Sequence, residues 1–211
     1  SDNHAPAPTH QDHAMPDHQT GQTTPPAPAV YLAGPGVFRQ DARAHGVQLV
    51  AACAPAGLRG LYPLDAALDP QAHATPTALA TAIAHANMGL IRQSHAVIAD
   101  LTPFRGPNVD DGTAFEIGYA HALGLPVFGY ACTADPMAAY PERVRACGDV
   151  KTIELDNRAT LVDGNGVVVE DFGLPVNLMI AAILCDCGII FSSAQAAILA
   201  ASARLRGQTS L

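Results

Sequence analysis

The chain has 211 residues, 49% hydrophobic and 14% charged, which is enough apolar material for one domain with a sizeable core. A formal net charge of −8 with no basic cluster argues against a polyanionic partner such as nucleic acid or an anionic membrane surface, and suits a small neutral or cationic ligand. No apolar run reaches the roughly 18–20 residues that span a bilayer and no signal-peptide core opens the chain, so a cytoplasmic protein is expected.

Residues 1–28 hold six prolines and four histidines (His4, His10, His13, His18) but no Val, Leu, Ile or Phe, and are expected to be a disordered His/Pro-rich tail. The folded domain is expected over 29–211. Val30-Tyr31-Leu32-Ala33 reads as a strand stopped by the turn Gly34-Pro35-Gly36, with a helix over 38–54. Leu61-Tyr62 is a brief second strand ended by Pro63. A longer helix over 77–93 carries Leu79, Ile83, Leu90 and Ile91 on one face. His95-Ala96-Val97-Ile98-Ala99-Asp100 is an apolar strand ending in a carboxylate. A loop with Pro103, Gly106 and Pro107 leads to a helix over 114–123, and Pro126-Val127-Phe128-Gly129-Tyr130 is another buried strand. Asp163-Gly164-Asn165-Gly166 between two valine-rich runs signals a hairpin, and helices over 174–186 and 192–206 close the chain. This alternation predicts an α/β fold, a flavodoxin- or Rossmann-like parallel sheet with helices on both faces.

Five cysteines, odd in number and scattered, do not form a disulfide framework. Cys185 and Cys187 have no second Cys or His pair at ligand spacing and read as buried, inert thiols, so no metal is expected.

Ligands of open parallel sheets bind beyond the carboxyl ends of the strands. Gly34-Pro35-Gly36, Asp65, Asp100 and the 101–113 loop gather there, with Asp110 and Asp111 just before the next helix. Glu116 has two readings. Thr113-x-x-Glu116 is a capping box, in which the Glu folds back onto the Thr113 N–H. Alternatively, Glu116 is a nucleophile whose ionised form the helix N-terminus favours.

The stretches Tyr31-Leu32-Ala33-Gly34-Pro35, Tyr62-Pro63-Leu64-Asp65, Asn87-x-x-Leu90-Ile91 and Ala99 to Gly106 resemble nucleoside 2-deoxyribosyltransferases. So do the segments Asp110 to Ala120, Gly124-x-Pro126-Val127-Phe128-Gly129-Tyr130 and Asp171 to Met179, in order across roughly 30–185. The resemblance implies that Glu116 is the nucleophile, that Tyr31 orients it, and that Asp110 holds sugar hydroxyls. It further implies that Asn177, in Pro175-Val176-Asn177-Leu178-Met179, reaches the sugar in a neighbouring subunit's site, hence a homo-oligomer with shared active sites. Gly34, Pro35, Asp65 and Met179 complete the expected substrate-binding set. Nucleosides and free nucleobases are the implied partners, with no cofactor.

At Asn87 the chain departs from many members, which carry an Asp there that protonates the leaving base. Asn has no acidic proton but can hydrogen-bond a base edge, and Asp65, Asp100 or water remain as donors. Phe38 and Phe104 are candidates for stacking on a base, and Arg105 for pairing with Asp110 or Asp111. His95 and His121 read as ordinary surface or sheet-edge residues. Two other functions stay open: a hydrolase of nucleoside 5'-monophosphates, against which Asp110 and Asp111 would repel phosphate, and a non-catalytic nucleotide-sensing module.

Overall fold

The computed structural model describes residues 26–65, 68–185 and 189–208, apart from the side chains of residues 65, 70 and 208. The tail expected over 1–28 thus lies almost wholly outside the described residues, as do Cys187 and the Asp65 side chain.

Five strands form one parallel sheet: β1 (Ala29–Ala33), β2 (Arg59–Leu61), β3 (Ala96–Asp100), β4 (Val127–Tyr130) and β7 (Ile190–Phe191). Their order, β2-β1-β3-β4-β7, reverses between β1 and β3. This is the flavodoxin-like arrangement anticipated from the sequence, and the reversal opens a crevice beyond the carboxyl ends of β1 and β3. The helices are α1 (Ala42–Cys53), α2 (Pro76–Arg92), α3 (Asp111–Ala122), α4 (Tyr140–Arg145), α5 (Leu178–Ala181) and α6 (Ala194–Gln208). Among the described residues, no helix is long and apolar enough to cross a membrane.

Alternation along the strands splits the core in two. Tyr31, Val97, Leu101 and Val127 pack with Ile91 of α2, Ile117 and Ala120 of α3, and Ala181 of α5. Val30, Leu32, Ile98, Phe128 and Tyr130 pack with Cys53 of α1 and Ile198 and Ala201 of α6. Because every β1 side chain is buried, the strand reads as an unbroken apolar run.

A second, two-stranded sheet pairs β5 (Val150–Leu155) with β6 (Arg158–Asp163). Its turn is Asp156-Asn157, both at positive φ (51° and 60°), as a tight two-residue hairpin requires. The sequence-based hairpin at Asp163–Gly166 is also a turn, with Val162 bridged to Val168, but it only extends β6 into a third short segment. The helix expected over 174–186 contracts to the single turn α5. Pro175 and the Asn177 cap keep the preceding residues irregular.

Candidate active site

Tyr31 lies mid-way along β1, fully buried, on the face covered by α2 and α3. Its hydroxyl donates to Glu116 Oε1 of α3 at 2.5 Å. The Glu116 carboxylate therefore reaches toward the sheet instead of folding back along its own helix. Burial pushes its pKa from 4.5 up to about 7, the Tyr31 hydrogen bond pulls it down, and the neighbouring charge of Asp110 raises it. Burial also pushes the Tyr31 phenol far above its ordinary range, with the Glu116 charge adding to the rise, so Tyr31 acts as a donor and stays protonated.

The capping-box reading is overturned. The helix begins at Asp111, and its cap is Asp110, whose Oδ2 accepts from the Thr113 N–H at 2.9 Å and the Thr113 hydroxyl at 3.0 Å. Glu116 thus sits in the second turn, with its backbone relations to Thr113 replaced by those of Asp110. The expected benefit from the helix N-terminus is likewise offset, since burial carries the carboxyl upward.

Around the crevice, Gly34 ends β1 at φ 154°, where an added Cβ would lie 2.7 Å from the Asp100 Cβ. Only a glycine lets the two strand ends approach this closely. Asp100 Oδ1 accepts from the Thr102 N–H (3.0 Å) and the Thr102 hydroxyl (2.5 Å), which in turn accepts from the Cys132 N–H at 3.0 Å. Pro35 and Phe38 line a cavity of about 390 Å³ with Asp100, Phe104 and Tyr130, on the α1–α6 side of the sheet. Phe38 and Phe104 stack on each other (centroids 5.4 Å apart), and Arg105 lies over both rings. That placement replaces the expected ion pair of Arg105 with Asp110 or Asp111. His95 is exposed, as expected of a surface residue, immediately before the central strand β3, its Nδ1 accepting from the Ala29 N–H.

Asn87, on α2, is half-buried, and its Oδ1 is shielded from solvent with no hydrogen-bond partner. An unsatisfied amide oxygen inside a protein costs free energy, and this one is free to accept a hydrogen bond. Asn177 and Met179 lie elsewhere, on a groove of about 660 Å³ that also takes in Ala114, Gly118 and His121 of α3. Glu116 is not among the residues that line this groove. Volume alone does not select the candidate centre, because the groove is mostly apolar, whereas Glu116 is a carboxyl that burial pushes upward. Asn177 is held within its own chain: its Oδ1 caps the Met179 N–H at 3.0 Å, and its Nδ2 donates to Glu170 at 2.6 Å. Glu170 is not among the site residues expected from the sequence. The signal was present, since Val167-Val168-Val169-Glu170 is an apolar run ending in a carboxylate, as is the run that ends in Asp100. Among the described residues no group of His, Cys, Asp and Glu is arranged to hold a metal.

Strand order, switch-point crevice and a carboxyl held by a buried phenol define an open α/β protein with a candidate polar site at the carboxyl edge of its sheet. Comparison with known proteins makes this specific. Residues 30–179 match the model of the nucleoside 2-deoxyribosyltransferase family, and the chain belongs to that family. It is 34% identical over 160 residues to the uncharacterized protein C191.05c of Schizosaccharomyces pombe, covering 72% of this chain and 74% of that one. Among solved structures it is similar to the 2-desoxiribosyltransferase of Leishmania mexicana: TM-score 0.62, 32% identity, 83% of this chain and 97% of that one covered. A 2-deoxyribosyltransferase of Bacillus psychrosaccharolyticus shares the fold at 17% identity and TM-score 0.50, with 80% and 88% covered.

Proposed function

We propose that the protein transfers a 2-deoxyribosyl group between nucleobases by double displacement through a covalent Glu116–deoxyribosyl ester. The observation that carries this reading is the Glu116–Tyr31 pair beside the switch point: a carboxylate aimed away from its own helix and gripped by a phenol.

In the first step a Glu116 oxygen attacks C1' opposite the base. The C1'–N bond breaks and its electrons leave with the base nitrogen, which takes up a proton. In the second step a nitrogen of another base attacks C1', the ester bond breaks back to carboxylate, and that base gives up its proton. Two inversions yield retention, as in retaining glycosidases. Tyr31 holds one carboxylate oxygen, which leaves the other for C1'. Asn87 holds a base edge without supplying a proton, so the departing base is protonated by water or by a carboxyl such as Asp100. Asp110 keeps one oxygen on Thr113 and offers the other to a sugar hydroxyl. Gly34 and Pro35 form the floor beside Asp100, Asp65 borders the substrate, and Met179 borders the substrate of a second copy together with Asn177. Asn177 serves the site of a second copy in a homo-oligomer.

Incubation of deoxyinosine with adenine tests the reading. New deoxyadenosine should form, and Glu116→Ala should lower the rate by about three or more powers of ten because no other group supplies the covalent step. Release of free sugar at the same rate without adenine points to a hydrolase, and preference for deoxyinosine 5'-monophosphate overturns the nucleoside assignment. A Glu116→Ala protein with full activity removes the nucleophile.

A further inference from the structure

A second residue takes part in the contacts around Asn177. Glu170 Oε1 accepts from Asn177 Nδ2 at 2.6 Å, and Glu170 Oε2 accepts from the Leu178 N–H at 3.0 Å. Asn177 Oδ1 accepts from the Met179 N–H at 3.0 Å. Asn177 is the cap of α5, a helix of one turn that has no stability of its own. Glu170 follows Val169, which is buried and bonded through its N–H to Leu161 O of β6. The carboxylate therefore ties the start of α5 to the β5–β6 unit.

We propose that Glu170 is a positioning residue that fixes the orientation of the Asn177 amide and thereby the one N–H that Asn177 can lend to substrate. The proposal rests on the reading that Asn177 serves the sugar.

An Asn amide has two N–H donors and two acceptor lone pairs. One donor is spent on Glu170 and one lone pair on Met179. The two contacts are of opposite kind, so the amide has a single orientation: flipped, it would set its carbonyl against a carboxylate and its NH₂ against an N–H. What remains is one Nδ2–H and one lone pair, beside the groove that Asn177 borders. The free N–H suits an acceptor oxygen, such as that of a sugar hydroxyl. Because the acceptor is ionised, the Glu170–Asn177 bond is of the charge-assisted kind that holds geometry firmly. Gln at 170 keeps the volume but can accept through only one atom, so either the Asn177 contact or the Leu178 contact is lost.

Base exchange by the full chain tests this with Glu170→Gln, Asn177→Ala and the double variant, each checked by thermal melting. Glu170→Gln should lower kcat/KM by about 10–100-fold, the scale of a misplaced contact group. The double variant should be no worse than Asn177→Ala within about two-fold, because Glu170 acts through Asn177. Additive losses overturn the proposal, as does normal kcat/KM in Glu170→Gln when Asn177→Ala is impaired. Unimpaired transfer by Asn177→Ala removes Asn177 from the site and the proposal with it, whereas absence of exchange in the unaltered protein is failure of the function itself. Where Glu170→Gln does not fold, Asn177→Asp reads the same contact. Two carboxylates facing each other raise the pKa of one, so this variant should be poorer than Asn177→Ala at pH 8, with the ratio of the two recovering at lower pH, where a proton is shared between them. A ratio independent of pH refutes the clamp.

Discussion

Glu116→Gln should make the protein more stable, and only above a certain pH. Burial carries the Glu116 carboxyl from 4.5 to about 7 in the folded state. A carboxyl with a raised pKa binds more protons folded than unfolded between those values, so stability falls as pH rises through that window and is fully present only below it. At full value the cost of ionising Glu116 inside the fold is about 3 kcal/mol. The side chain is half-buried, and screening reduces this to about 1–2 kcal/mol. Gln keeps the shape and still accepts from the Tyr31 hydroxyl, but never ionises. For a domain of this size the gain is about 2–8 °C in Tm at pH 8.5. At pH 5 it shrinks to about half of that, because the folded carboxyl is by then largely protonated. Thermal melts of both proteins at the two pH values measure it. An equal difference at both, or a less stable variant at pH 8.5, would refute the claim that an ionised Glu116 is a burden on the fold.

Other expectations concern the same few residues. Tyr31→Phe removes the hydrogen bond that holds the Glu116 pKa down, so the acidic limb of kcat/KM should move to higher pH, while Asp110→Asn removes the charge that raises it and should move the limb lower. Parallel shifts in the two pH profiles contradict this assignment of causes. Asp110→Ala should cost about 1 kcal/mol through the lost cap, and Asp110→Asn, which still caps, much less, as read by urea titration. Gly34→Ala should destabilise by about 2 kcal/mol or more, since its Cβ would lie 2.7 Å from that of Asp100 at a backbone angle that side chains avoid. A Gly34→Ala protein with an unchanged denaturation midpoint means that the strand ends separate freely.

What the sequence disclosed follows the strength of its physical signals. β1, β3 and β4 are buried on both faces and so announce themselves as apolar runs, whereas the apolar face expected on α2 is buried only at Ile91, with Ile83 exposed. The start of α3 is harder to read. Asp110-Asp111-Gly112-Thr113 offers three residues able to cap, and spacing to Glu116 favours Thr113, whereas Thr113 is itself buried and bonded to Asp110. β5 is largely exposed and belongs to neither core, so it carries no apolar alternation, and its Asp156-Asn157 turn is a weaker signal than the glycines that follow β6. The position of Glu116 after β3 and its loop is legible in the chain, but the direction of its side chain depends on a phenol 85 residues away, which no local pattern encodes.

The perturbed carboxyl also bears on how the proposed reaction is driven. With its pKa raised by burial to about 7, the Glu116 carboxyl is more readily protonated near neutral pH than an ordinary glutamate, an unpromising state for a nucleophile. The fold spends its helix-start donor on Asp110 and grants Glu116 only the Tyr31 hydroxyl. Such a carboxylate is poorly stabilised before reaction, and gains most from a positive charge that appears beside it. The glycosyl centre supplies that charge as the C1'–N bond lengthens and the sugar takes on oxocarbenium character. Attraction between the two is then larger in the transition state than with the neutral nucleoside, and only such a difference accelerates the chemical step. Compensation fully in place beforehand, from an arginine or a second capping donor, would hold the carboxylate ionised but weaken its bond to C1'. An arginine introduced against Glu116 should therefore lower the acidic limb of the pH profile and lower kcat with it. A rise in kcat would mean that the burden on Glu116 has no part in the chemistry.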